Sequence, residues 1–271
     1  MANHIEIIFP VTDTELQQVL IAQLSEEGFE GFEETEEELR AFIPESSFNK
    51  DRVIEIAASH AVTFTEQVIE GQNWNAVWES NFEPVAVDDF VAIRADFHAP
   101  VKGVEFEIVI TPKMSFGTGH HATTFMMLRQ MRQLEFKNKK VVDFGTGTGV
   151  LAILAEKMGA VSVLGIDYDD WSIENATENC GYNHCSRICL SQADNAAGIE
   201  KADIILANIN KNVILDNLVH LKNALNDGGV LLLSGLLTTD EEDILNAALP
   251  LSLRMIGKEV KNNWICLAME S

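Results

Sequence analysis

The chain has 271 residues, of which 42 are acidic and 19 basic, so its formal net charge is −23 at pH 7 and its isoelectric point lies near 4.5. A surface this acidic repels phosphate backbones, which argues against nucleic-acid binding and favours a basic protein as macromolecular partner. No apolar run is long enough to span a bilayer, and the first residues lack the features of a signal peptide, so we expect no membrane contact.

The length and apolar content allow one full α/β domain and a smaller one. The four cysteines are too few for a disulfide framework, and their spacing lacks the paired pattern of zinc sites. We therefore expect reduced thiols, no bound metal and a cytoplasmic location.

Residues 1–70 predict a small α+β domain. Four segments have the pattern of strands: 4–11, 29–35, 38–43 and 62–70. One helix follows the first strand at a capping box formed by Thr12 and Glu15, and a second helix begins after Asn49. The resulting order, βαββαβ, is typical of a ferredoxin-like domain.

The same segment, 1–70, contains 16 acidic and 3 basic residues, which is more than half of the charge imbalance of the molecule. We expect a docking surface for a basic protein here. An acidic face that is merely solvated is the alternative.

Residues 71–83 predict a short amphipathic linker helix, since Trp74, Val77, Trp78 and Phe82 recur at helical spacing. We expect its tryptophans to pack rather than to contact a substrate. The remaining residues, 84–271, then form the larger domain, and its first two predicted strands span 90–95 and 105–111.

Residues 114–124 predict a loop that folds over a ligand. Gly117 and Gly119 stand beside His120 and His121, with hydroxyl groups around them. Paired histidines suggest a metal, but no carboxylate stands at ligand spacing, so a ligand-covering loop is the preferred interpretation.

Residues 141–149, with the sequence VVDFGTGTG, predict a strand, a tight turn and the start of a helix. Glycines allow a sharp turn and a close approach of a ligand to backbone amides at a helix start. The dinucleotide fingerprint would place its third glycine at position 150, where this chain has Val150. A nicotinamide-dependent oxidoreductase is therefore disfavoured.

Two polar residues end the strands that neighbour this turn. Asp167 follows the strand 161–166 and lies 22 positions after Gly145, where a carboxylate can accept hydrogen bonds from both ribose hydroxyls of an adenosine group. Asn208 ends a strand over 202–209, so its side chain is expected at the same edge of the sheet as Asp167. A helix cap is the alternative role for Asn208.

Four motifs together resemble the PrmA family, the bacterial methyltransferase of large-subunit ribosomal protein eleven. They are FGTGHHATT at 116–124, VDFGTGTG at 142–149, GID at 165–167 and ANI at 207–209. The resemblance implies a class I methyltransferase domain with a Rossmann-like seven-stranded sheet, beside a small ferredoxin-like domain for substrate recognition. It also implies methyl transfer from S-adenosylmethionine to lysine side chains and the terminal amine of a basic ribosomal protein.

Carried over by position, the resemblance implies a set of cofactor-binding residues: Thr124, Gly145, Asp167 and Asn208, with Phe116, Gly117 and Gly147 as neighbours. Asn208 is the candidate catalytic residue, because its side-chain oxygen can orient the acceptor amine. No general base is assigned, although His120 and His121 are possible proton acceptors.

The chain departs from the family pattern at Ala122, where proline or glutamate is common, and at Asn210, where leucine or tyrosine is common. Because of the second departure, the residues on the acceptor side of the pocket are not assigned. Two alternative functions are a methyltransferase of the same fold for another basic protein or a small amine, and a non-catalytic assembly factor that binds the cofactor. We expect a monomer.

Overall fold

The computed structural model describes residues 3–29, 31–35, 37–69, 82–113 and 115–271. The chain divides into two compact units, Met1–Ser80 and Asn81–Ser271. The predicted linker helix over 71–83 lies outside the described residues, apart from its last two positions. One of these, Phe82, is buried in the core of the second unit. Within the described residues, no helix has both the length and the apolarity needed to cross a bilayer.

The first unit is an antiparallel sheet with two helices. Its elements are β1 (His4–Phe9), α1 (Thr14–Glu26), β2 (Gly31–Glu34), β3 (Leu39–Pro44), α2 (Lys50–Ser59) and β4 (Thr65–Ile69). The sheet order β2-β3-β1-β4, with every pair antiparallel, confirms the predicted ferredoxin-like domain. Alternate residues of β1 and β3 point into one core with residues of both helices, since successive side chains of a strand face opposite ways.

The two predicted helix starts of this unit have different outcomes. Asn49 caps α2 as predicted, because its side chain accepts a hydrogen bond from the Arg52 backbone N–H. The predicted Thr12 capping box is wrong. The helix begins at Thr14, and the carboxylate of Asp13 accepts the hydrogen bond from the Leu16 N–H at 3.3 Å. Both residue types are good caps, so the pattern alone did not separate adjacent positions.

The second unit is a seven-stranded sheet with helices and a small sheet around it. Its strands are β5 (Val85–Val87), β6 (Val91–Ala95), β7 (Phe106–Ile110), β8 (Lys140–Phe144), β9 (Ser162–Asp167), β10 (Ile188–Gln192), β11 (Ala202–Asn208), β12 (Leu225–Leu237), β13 (Arg254–Lys261) and β14 (Trp264–Glu270). Its helices are α3 (Ala122–Met131), α4 (Val150–Lys157), α5 (Asp170–Tyr182), α6 (Lys211–Ala224) and α7 (Glu241–Ala248).

The large sheet has the order β10-β9-β8-β11-β12-β14-β13. The first five strands are parallel, and β14 is antiparallel to both of its neighbours. This order confirms the predicted methyltransferase sheet. Along the sheet, the chain order changes direction between β8 and β11. Because these strands are parallel, the carboxyl ends of β8, β9 and β11 lie at the same edge. Open α/β sheets bind ligands at such a switch point.

Two apolar layers hold this sheet in place. Residues of one face, such as Val141 and Leu206, pack with the apolar faces of α3 and α4. Residues of the other face, such as Val142 and Ala207, pack with α6 and α7. The two predicted strands before the large sheet, β6 and β7, do form, but they pair with β5 in a separate three-stranded sheet.

Candidate functional site

A cavity of about 510 Å³ opens at the carboxyl ends of β8, β9 and β11. Five of the seven predicted site residues line it: Phe116, Gly145, Gly147, Asp167 and Asn208. The other two predicted residues, Thr124 and Gly117, do not line the cavity. Thr124 accepts a hydrogen bond from Asn208, and Gly117 accepts one from Thr148 of the glycine turn. The fold thus brings together residues that are up to 92 positions apart in the sequence, from Phe116 to Asn208.

In the glycine turn, residues 145–149, Gly145 and Gly147 line the cavity with backbone atoms only. A β-carbon on Gly145 would lie 2.2 Å from a methyl carbon of Ile209, and one on Gly147 would lie 2.3 Å from the Phe116 carbonyl oxygen. Both glycines also have positive φ angles, of 80° and 53°, which disfavour L residues. Side chains are therefore excluded at these two positions, so a ligand can lie directly against the backbone of the turn.

Asp167 is fixed against this turn by two backbone hydrogen bonds. Its Oδ2 accepts from the Gly147 N–H at 2.9 Å, and its Oδ1 accepts from the Asp169 N–H at 3.2 Å. The residue is 8% exposed and lines the cavity. Each carboxylate oxygen has a further lone pair, so the group can still accept two hydroxyl donors from a ligand.

Asn208 ends β11 and leaves one acceptor unused. Its Nδ2 donates to Thr124 Oγ1 at 3.2 Å, which joins the amide to α3. Its Oδ1 is buried and has no hydrogen-bond partner among the described residues. A buried acceptor without a partner costs about 1–3 kcal/mol, and this one belongs to a residue that lines the cavity, which makes it a candidate acceptor for a donor on a ligand.

Asp143 supports the glycine turn from inside the protein. Its Oδ2 accepts hydrogen bonds from Thr146 Oγ1 at 2.7 Å and from the Ala152 N–H at 3.2 Å. The second bond caps α4, whose N-cap residue, Gly149, has no side chain to do so. Complete burial raises the pKa of Asp143 to about 7, and the negative charge of Asp167 acts in the same direction.

The covering loop, residues 115–121, lies on the glycine turn. The Thr148 N–H donates to the Phe116 carbonyl oxygen at 3.0 Å, and Thr148 Oγ1 donates to the Gly117 carbonyl oxygen at 3.0 Å. This position confirms that the loop reaches the cavity, which Phe116 and His121 line.

The two histidines of this loop have different positions. His121 caps α3, since its ring nitrogen accepts from the Thr123 N–H at 3.4 Å, and its ring packs edge-on against Trp264. His120 pairs instead with Thr118 Oγ1 and packs against Phe82. Only His121 lines the cavity. The described residues contain no group of three or more potential metal ligands.

Several residues that line the cavity are not among the predicted site residues. Trp264 lines it from β14, and Tyr168 lines it beside Asp167. The strand that carries Trp264 runs antiparallel to its neighbour, so its first residue reaches the edge where the parallel strands end. The place of Trp264 at the cavity follows from the order and direction of the strands, which the local sequence around Trp264 does not indicate. The position of Tyr168 directly after the predicted ribose acid was a usable signal.

Comparisons with known proteins identify the relatives of this chain. Residues 11–271 match the family described as ribosomal protein L11 methyltransferase (PrmA). The ribosomal protein L11 methyltransferase of Porphyromonas gingivalis is 38% identical over 257 residues, which cover 92% of this chain and 89% of that protein. The protein of the same name from Chlorobaculum tepidum is 43% identical over 252 residues, which cover 88% and 86%.

A solved structure is also similar. The crystal structure of ribosomal protein L11 methylase from Lactobacillus delbrueckii subsp. bulgaricus superposes with a TM-score of 0.64 and is 32% identical. The match covers 69% of this chain and 98% of that one.

We predict that Asp143 makes stability fall as the pH rises. Its pKa is about 7 in the folded protein and 3.8 in an unperturbed aspartate, so the folded state holds the proton more tightly. The free energy of unfolding should therefore decline from about pH 4 to about pH 7, by about 4 kcal/mol at most. Asp143→Asn keeps an acceptor oxygen and cannot ionise. Urea titrations across this range should show the decline for the wild type relative to the variant, and parallel curves would contradict the assignment.

Proposed function

Since the chain belongs to the PrmA family of ribosomal protein L11 methyltransferases, we propose that it transfers methyl groups from S-adenosylmethionine to amines of ribosomal protein L11. The enzyme is an S-adenosylmethionine-dependent methyltransferase, and the acceptor chemistry and residue roles are our proposal. This proposal is supported chiefly by the unpaired Oδ1 of Asn208, a residue that lines the same cavity as Asp167. One oxygen suits an amine donor, and the carboxylate suits a ribose.

Three features of the site fit the cofactor. Asp167 has two free lone pairs for the ribose hydroxyls, and Tyr168 beside it offers an aromatic face for the adenine. The bare backbone at Gly145 and Gly147 accommodates the amino-acid end. When bound, S-adenosylmethionine supplies an electrophilic methyl carbon next to a positively charged sulfur, so the residues of the chain need only position and desolvate the acceptor.

Asn208 is the proposed catalytic residue, because an amine must be neutral and correctly oriented to attack. A lysine side chain has a pKa of about 10.4, so only about one in a thousand is neutral near pH 7. Removal of water around the amine lowers its pKa. A hydrogen bond accepted by Asn208 Oδ1 then turns the nitrogen lone pair toward the methyl carbon. The aromatic rings of Phe116, His121 and Trp264 support the exclusion of water.

The first unit is proposed to recognise the substrate. The relatives are named for a ribosomal protein, and proteins that bind ribosomal RNA are commonly basic. Residues 1–70 carry 16 acidic and 3 basic side chains, which complements such a partner. The domain boundaries at 70 and 84, the monomeric state and a cytoplasmic location, where ribosomal proteins are made, stay predictions.

Asp167→Ala should weaken the binding of S-adenosylmethionine by about 10-fold or more, because two ribose hydrogen bonds and the anchor of the Gly147 N–H are lost together. The matched control is Asp203→Ala. Asp203 also accepts one backbone N–H and one further donor, but it stands near the opposite end of β11 from Asn208. Isothermal titration calorimetry measures both variants. Equal affinities in the two would remove the ribose assignment.

Asn208→Ala should lower kcat by about 100-fold while changing the affinity for S-adenosylmethionine by only a few-fold, since the lost oxygen orients the acceptor. Mass spectrometry of ribosomal protein L11 at saturating cofactor measures the methyl groups added per minute. A variant with wild-type turnover would contradict the catalytic role.

Rising salt should reduce kcat/KM for ribosomal protein L11, because the acidic residues of the first unit attract a basic substrate through solvent. The affinity for S-adenosylmethionine, measured in parallel, should change much less. Between about 50 mM and 500 mM salt the Debye length falls roughly threefold. A constant kcat/KM over this range would exclude electrostatic docking.

A further inference from the structure

Helix α5 presents a row of asparagines to the chain segment that leads into the covering loop. Asn175 and Asn179 are four residues apart on one face of the helix, and Asn183, the residue that caps its end, continues the row. Asn175 and Asn179 are fully buried, and Asn183 is half-buried. Three polar amides in a row need partners, because buried amide groups without hydrogen bonds are costly.

The partners of this row are backbone groups at the free edge of β7. Asn183 accepts from the Val109 N–H at 3.0 Å and donates to the Val109 carbonyl oxygen at 2.6 Å. Asn179 Oδ1 accepts from the Thr111 N–H at 2.8 Å, and Asn175 Nδ2 donates to the Thr111 carbonyl oxygen at 3.3 Å. The side chains therefore take the place of a neighbouring strand along this edge.

Asn179 differs from the other two asparagines because it also binds the glycine turn. Its Nδ2 donates to the Thr148 carbonyl oxygen at 2.8 Å. Thr148 in turn holds the covering loop, through its N–H to Phe116 and its hydroxyl to Gly117. One buried amide thus joins the segment before the covering loop, at Thr111, to the residue that fastens the loop itself.

We propose that Asn179 is a positioning residue for methyl transfer: it fixes Thr148, and through Thr148 it sets the separation between the covering loop and the glycine turn. This inference rests on the proposed cofactor site. The separation leaves no room for a side chain, since a β-carbon on Gly147 would lie 2.3 Å from the Phe116 carbonyl oxygen. A small displacement of Thr148 therefore changes the walls of the cavity at Phe116.

Asn179→Ala tests the proposal, and Asn183→Ala is the matched control. Asn179→Ala removes two side-chain hydrogen bonds and Asn183→Ala removes three, all of them to backbone groups, but only Asn179 contacts the glycine turn. We expect the dissociation constant and the KM for S-adenosylmethionine to rise about 10-fold in Asn179→Ala and less than about 2-fold in Asn183→Ala. Calorimetry is done at a temperature at which circular dichroism shows both variants folded. Equal affinity losses, or no loss in Asn179→Ala, would overturn the proposal.

Two further variants test the same proposal if Asn179→Ala does not fold. Asn179→Asp keeps the volume and the acceptor oxygen but loses the donor to Thr148, so its affinity should fall as well. Thr148→Ala removes the hydroxyl bond to Gly117. If Asn179 acts through Thr148, the double variant Asn179→Asp/Thr148→Ala should lose less affinity than the sum of the single losses. Additive losses would contradict this route.

Failure of this inference can be told apart from failure of the proposed function. Wild-type protein that does not bind S-adenosylmethionine would remove both. Wild-type binding that Asp167→Ala weakens and Asn179→Asp does not would leave the cofactor site in place and remove only the role of Asn179.

Discussion

The hydrogen bond from the Gly147 N–H to Asp167 Oδ2 fixes the geometry of the whole site. It joins the turn after β8 to the end of β9, so the part of the cavity that suits an amino-acid group and the part that suits a ribose are held at one distance. The turn can make this bond only because Gly147 has a positive φ and no β-carbon beside the Phe116 carbonyl. Backbone conformation and carboxylate position therefore depend on each other.

Buried polar groups secure this turn from several sides. Asp143 binds it from the interior, Thr148 binds the covering loop above it, and Asn179 binds Thr148 from α5. Burial of these groups costs free energy, which the fold tolerates because nearly all of them have hydrogen-bond partners. Asp143 Oδ1, Asn175 Oδ1 and Asn208 Oδ1 are exceptions. The Asn208 oxygen belongs to a residue that lines the cavity, and Asp143 Oδ1 belongs to a carboxyl group whose pKa is raised to about 7.

Much of this arrangement could be predicted from the sequence, because it follows from local patterns. Apolar runs of fixed length give the strands, glycines at alternate positions give the turn, and polar residues directly after strands, such as Asp167 and Asn208, must lie at the carboxyl edge. The asparagines of α5 and Trp264 could not be assigned this way. Their roles depend on which strand lies beside which, and Val109 and Asn183 are 74 positions apart. The start of α1 was missed by one residue for a different reason, since Thr12 and Asp13 are both good caps.

A crystal structure of the protein with S-adenosylmethionine tests the central claim most directly. The account predicts both ribose hydroxyls within hydrogen-bond distance of the Asp167 carboxylate, the amino-acid end of the ligand at Gly145 and Gly147, and the methyl carbon on the side of Asn208. Electron density for the adenosyl group elsewhere, or a ribose without contact to Asp167, would contradict it.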